Sequence, residues 1–338
     1  ALDASDFGSD EYRVFVADTD NLRGNELRGA LIDKLYSAGV RVVAVPDGAA
    51  AGVLLDNYLQ TGNTGSLDSY LSVLPADRRD SARTLWEHVR TRYPGVFHAA
   101  GLGADARSAT VGKALTVLAN ASHNTPETEI AEAVQAMRSG TTSNAVYWFK
   151  TAMAKYPRQM ERFFGSSYAA VSRLYYAMQG TLNVADDSEL PTYDAKQLLK
   201  TYKKDGILIF TDEASALMTE GSMASELQAQ LDKQKYGEDE DPQRVCAIGA
   251  VYGTWSNAGS FTPDDTETAW DADSLTEALG SDALRGKDML LALDGEDSPY
   301  LTENCLLKDT DTPVAEQLQK LFVLDKNNMA SPETAKSE

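Results

Sequence analysis

A mixed α/β fold, with a parallel-type sheet and a large mainly helical insertion or second domain, is what the sequence predicts. Three observations predict it. The run Val14-Phe15-Val16 leads through a polar turn into a helical stripe and then into a second apolar run, Val40 to Val45. Strand, helix and strand at that spacing make a βαβ unit, whose strands are parallel. Sheet-type runs return after residue 205, and the stretch between is dominated by helical periodicity.

Taken in order, Tyr12 to Val16 alternates and is β-prone, so it reads as a strand. Leu27, Ala30, Leu31, Ile32 and Leu35 place one apolar stripe on a helix that Gly39 ends. Val40 to Val45 reads as a strand stopped by Pro46-Asp47-Gly48. From 49 to about 200 the apolar residues repeat at helical spacing, as in Asp77 to Arg92 and Asn144 to Tyr156. Thr125-Pro126-Glu127 reads as a helix start. Ile207 to Phe210, Arg244 to Tyr252 and Met289 to Leu293 read as strands, and Pro313 to Phe322 as a last helix. The expected division is an α/β core of 10–48 plus 205–325, a helical region 49–204, and a mobile polar tail 326–338. A cut near Asp186 to Pro191 is the alternative.

Composition narrows the function classes. The chain has 338 residues, 43% of them hydrophobic, enough for a packed core. Its formal net charge is −20, which repels nucleic-acid phosphates and anionic lipid, so no general nucleic-acid binding is expected. No apolar run approaches the roughly 18 residues a membrane helix needs. A polar, acidic beginning, Ala1 to Tyr12, carries no signal-peptide pattern, so the expected location is cytoplasmic or intracellular. Cys246 and Cys305 sit in apolar surroundings and read as buried thiols, with one long-range disulfide as the alternative. His88, His98 and His123 follow no zinc-ligand spacing; His98 and His123 stand at segment ends, where capping explains them.

Three apolar runs end in carboxylates: Asp18 and Asp20; Asp212 and Glu213; Asp294, Glu296 and Asp297. In an open α/β sheet the ligand crevice lies at the carboxyl ends of parallel strands, so three acidic tips there would offer hard oxygen ligands for Mg²⁺. The same residues are ordinary turn and cap chemistry. Val14-Phe15-Val16-Ala17-Asp18-Thr19-Asp20-Asn21-Leu22 resembles the first motif of haloacid-dehalogenase-type phosphatases, over about nine residues. That resemblance implies Asp18 as nucleophile, Asp20 as general acid and Thr211 as the second-motif hydroxyl. It also implies a Mg²⁺ site drawn from Asp18, Asp212, Asp294 and Asp297.

No nucleophile elbow, nucleotide loop or dinucleotide fingerprint is complete. The leading expectation is therefore a non-enzymatic structural or interaction protein without a cofactor. It would bind protein partners or itself through aromatic-rich helices, as a subunit of a larger assembly. The span Ala1 to Glu338 resembles mature virion proteins of some tailed phages, which implies a virion or particle component. A Mg²⁺-dependent phosphohydrolase is the alternative.

Overall fold

The protein is a mixed α/β fold whose strands run mostly parallel. The structure is a computed structural model. It describes residues 12–20, 23–103, 108–140, 142–180, 190–234, 243–255, 261–263, 271, 288–294, 298, 301–302 and 312–325. By contacts the chain divides into two units, Ala1–Ala38 with Thr211–Glu338, and Gly39–Phe210.

In the first unit, β1 (Tyr12–Asp18) pairs in parallel with β5 (Arg244–Trp255), and β5 in parallel with β8 (Lys320–Asp325). β7 (Met289–Ala292) runs antiparallel on β8, and the short β6 (Phe261–Pro263) antiparallel on β5. All seven residues of β1 are buried. That explains its continuous apolar run, since a strand covered on both faces does not alternate. Helix α1 (Gly24–Leu35) lays Leu27, Leu31, Ile32 and Leu35 inward, the predicted stripe. The core gathers Ala247, Val251, Trp255, Val314, Leu321 and Val323.

In the second unit, β2 (Val40–Val45) is flanked in parallel by β3 (His98–Gly101) and β4 (Gly206–Thr211). The same unit carries α2 (Ala49–Thr61), which packs on β3, and α3 (Thr64–Leu71), α4 (Arg79–Arg92), α5 (Ser108–Ala121), α6 (Thr128–Arg138), α7 (Thr142–Lys155), α8 (Pro157–Phe164), α9 (Tyr168–Gly180) and α10 (Leu190–Thr201), which pack largely on other helices. The aromatic residues of α7 and α9 are partly core, since Phe149 is buried edge-on to Tyr175. Tyr147 stays exposed.

Three expectations are corrected. His98 to Gly101 is a strand rather than part of a helical stretch, because four residues, three of them Ala or Gly, give too short a pattern to read. The last predicted helix survives only as one short turn of helix (Val314–Gln317) before the chain turns into β8, a six-residue buried run. Helix α6 begins at Thr128 behind an extended Glu127, not at Thr125. The tail 326–338 and Cys305 lie outside the described residues.

Candidate functional site

Asp18 closes β1 and is 6% exposed. The Asp20 backbone N–H donates to its Oδ1 at 3.1 Å, which tightens the turn that leaves the strand. Thr19 fixes the turn on both sides. Its N–H donates to the Thr211 carbonyl at 2.9 Å, and its Oγ1 accepts from Arg28 Nε at 2.9 Å. Gly24 lets α1 start against this turn, since a Cβ there would stand 2.0 Å from the Thr19 carbonyl oxygen. Burial pushes the Asp18 carboxyl up to about 7; the Asp20 N–H bond opposes this, and the charges of Glu213, Asp20 and Asp212 add to it. A carboxyl that exchanges its proton near neutrality suits general acid–base work.

The structure thus brings Asp18, Asp20, Thr211 and Asp212 together. Asp212 has a local task as well: its carboxylate caps the short helix α11 (Glu213–Ala216), accepting from Ser215 N at 2.8 Å. Asp294 does not join them. It accepts from Tyr12 Oη at 2.7 Å and Lys320 Nζ at 2.6 Å, beside a hollow of about 440 Å³ also lined by Arg244 and Val245. Tyr12 begins β1 and Asp18 ends it, so their Cα atoms stand about 20 Å apart at about 3.3 Å per residue. The cause is the antiparallel direction of β7, whose carboxyl tip points toward the amino ends of its neighbours. Asp297 lies outside the described residues. The four-carboxylate Mg²⁺ set therefore does not assemble as expected. Among the described residues no group of three or more His, Cys, Asp or Glu is arranged to hold a metal ion.

Arg23 anchors the same turn from its far side. Its Nη1 donates to Asp288 at 2.8 Å and to the Asp325 carbonyl at 3.3 Å, and its Nε to Glu26 at 2.9 Å. Glu26 is half-exposed, so removing the guanidinium leaves its partner in water rather than stranded. Arg23→Ala is expected to cost about 2 kcal/mol in urea unfolding, below the 3–5 typical of a fully buried pair.

Sequence reasoning missed a second constellation, within residues 39–210. A cavity of about 410 Å³ lies between α2, β3, α5 and α9. At its edge His98 Nδ1 stands 3.1 Å from Asp56 Oδ1, which also accepts from Ala99 N at 2.9 Å. The Asp56 hydrogen bond raises the His98 pKa; partial burial opposes this, and the charges of Asp56 and Asp205 support it. Tyr202 lies tilted against the imidazole. Burial pushes its hydroxyl up to about 12, so it stays protonated. Asp56 and His98 are 42 positions apart, and no local spacing announces such a pair.

No protein-family model matches the chain, and no curated protein does. The fold itself is shared with solved structures over almost the whole chain. A Bacillus cereus protein aligns with a TM-score of 0.60 at 12% identity, covering 94% of this chain and 89% of its own. An erythromycin esterase mutant in its open conformation aligns at 0.57 and 12%, covering 96% and 94%. A succinoglycan biosynthesis protein aligns at 0.59 and 14%, covering 95% and 89%. The expectation of a non-enzymatic structural protein, and of a virion component in particular, is corrected by these likenesses. The aromatic helices on which it leaned are in part core, as Phe149 shows. No helix among the described residues is long and apolar enough to cross a membrane.

Proposed function

We propose that this chain is a hydrolase of carboxylic esters, with Asp18 as its general acid–base group. The observation that carries the reading is the placement of Asp18: a buried carboxyl at the carboxyl end of a parallel strand. That is where open α/β sheets hold their ligands. The shared fold of an erythromycin esterase supports the choice of an ester bond.

In the ionised form Asp18 takes a proton from the attacking water as its oxygen closes on the ester carbonyl. In the protonated form it returns that proton to the departing alkoxide. Burial serves both halves, because it brings the two forms into balance near neutral pH. Arg28, through Thr19, and the Thr19–Thr211 hydrogen bond hold the turn in place while this happens.

The test is turnover of a panel of p-nitrophenyl and lactone esters by the wild type and by Asp18→Asn. Asn keeps the shape and the acceptor for Asp20 N–H but cannot take a proton. A fall of about 10²-fold or more in kcat is expected, the usual weight of a positioned acid–base group. Equal turnover by the two proteins would exclude this role for Asp18.

A further inference from the structure

The side-chain charges that act on Asp18 are all of one sign: Glu213, Asp20 and Asp212, each in the same unit of the chain as Asp18. Arg28 reaches this turn but donates to the Thr19 hydroxyl. Asp20 and Asp212 are exposed and Glu213 is half-buried, so the rim of the cluster meets solvent while Asp18 beneath it is buried.

Acidic side chains at a turn need no ligand to explain them. Asp18 supplies the further reason. It is 6% exposed, yet only one of its oxygens is used. Oδ1 accepts from the Asp20 N–H; Oδ2 has no partner among the described residues and is not sealed from solvent. A buried acceptor left open in this way is costly until a ligand or water comes to it. In ester hydrolysis Oδ2 is the oxygen that meets the reacting water. A substrate held at that point lays its remaining atoms beside three carboxylates, whose field concentrates positive charge and repels negative. A metal ion is the poorer fit, because it needs several oxygens converging at about 2.0–2.6 Å. No group of three or more is so arranged among the described residues, and Asp212 Oδ1 is engaged by Ser215 N. An organic cation asks only for the field.

We propose that this site selects substrates carrying an organic ammonium group close to the bond that is cut, with Asp20, Asp212 and Glu213 as the specificity-determining residues. The reaction rests on the ester-hydrolase reading; the cation rests on the cluster alone. Acetylcholine and 3,3-dimethylbutyl acetate differ by one positive charge at nearly the same shape. The wild type is expected to prefer the cationic ester about tenfold in kcat/KM at low salt. Most of that preference should vanish near 1 M NaCl, where the screening length falls to about 3 Å. In the double variant Asp212→Asn, Glu213→Gln the ratio is expected to fall toward one. Asn still caps the helix at Ser215 N, and a ratio of two substrates on one protein is not moved by a general loss of stability. Calorimetric titration with phenyltrimethylammonium, which carries no ester, gives a second reading. Saturable binding to the wild type is expected, weakened about fivefold or more in the double variant. Turnover of both esters without a cationic preference, or a preference that survives in the folded double variant, would overturn the proposal and leave the ester-hydrolase reading in place. If neither ester is turned over, the titration decides: binding lost in the double variant upholds the cation site and rejects the ester chemistry, and no binding to the wild type overturns the site as well.

Discussion

Replacing Gly52 by Ala is expected to cost about 3 kcal/mol or more, enough to lower urea midpoints sharply or prevent folding of residues 39–210. Gly52 sits on α2 where the helix crosses β3. A Cβ there would stand 1.9 Å from the Gly101 backbone nitrogen and 2.5 Å from its Cα. Gly101 answers from the strand: a Cβ on it would stand 1.8 Å from the Gly48 carbonyl oxygen. Both obstacles are backbone, so no side chain can rotate away. The helix would have to lift off the strand, stretching the Gly48 N–H bond to the Leu102 carbonyl and opening the packing of Leu54 and Leu55. Ordinary overpacking costs about 1–3 kcal/mol, and this contact is tighter than a side-chain clash. Helix propensity favours Ala over Gly by about 1 kcal/mol and does not offset it. Equilibrium urea unfolding of Gly52→Ala and Gly101→Ala checks this; a loss under about 1 kcal/mol in both would show that α2 is not seated so closely.

Asp18→Asn is expected to make the protein more stable, and only at the higher pH. The Asp18 pKa stands at 3.8 in the unfolded chain and about 7 in the folded one. The folded state therefore holds a proton that the unfolded state has released, between those two values. The penalty is absent below pH 3.8, grows as pH rises, and is complete once the folded carboxyl ionises above about 7. About three units at 1.36 kcal/mol each set a ceiling of ~4 kcal/mol. Asn keeps the acceptor for Asp20 N–H and carries no charge, so it recovers part of that sum, about 2 kcal/mol at pH 8 and nothing at pH 3.5. Paired urea melts at the two pH values read the difference directly. Equal stability at pH 8 would mean that the ionised carboxylate is solvated. An acidic group that weakens its own fold while holding a proton near neutrality is the pattern expected where function outweighs stability.

How legible all this was differs from element to element. β1, α1 and β2 could be read because their residues obey one period each: apolar β-prone runs on either side of the stripe Leu27, Leu31 and Leu35, with Gly39 between. β8 could not, because Lys320 to Asp325 is buried along its whole length, and a short apolar run without alternation serves a buried helix or a buried strand equally. Asp18 was legible as a strand tip. Asp294 looked equivalent, but a tip has meaning only with a direction, and pairing of β7 to β8 sets that direction through contacts the local sequence does not encode. His98 and Asp56 meet because α2 lies across β3, and the glycines that permit the crossing, Gly52 and Gly101, look like ordinary loop or small residues until the two elements are brought together.

The pH dependence of kcat/KM for ester hydrolysis bears most directly on Asp18 as the working acid–base group. The wild type should show a limb with an apparent pKa near 7, rising as Asp18 ionises, and Asp18→Asn should lose both the limb and most of the rate. A wild-type profile that is flat from pH 5 to 8, or a limb that survives unchanged in Asp18→Asn, would contradict it.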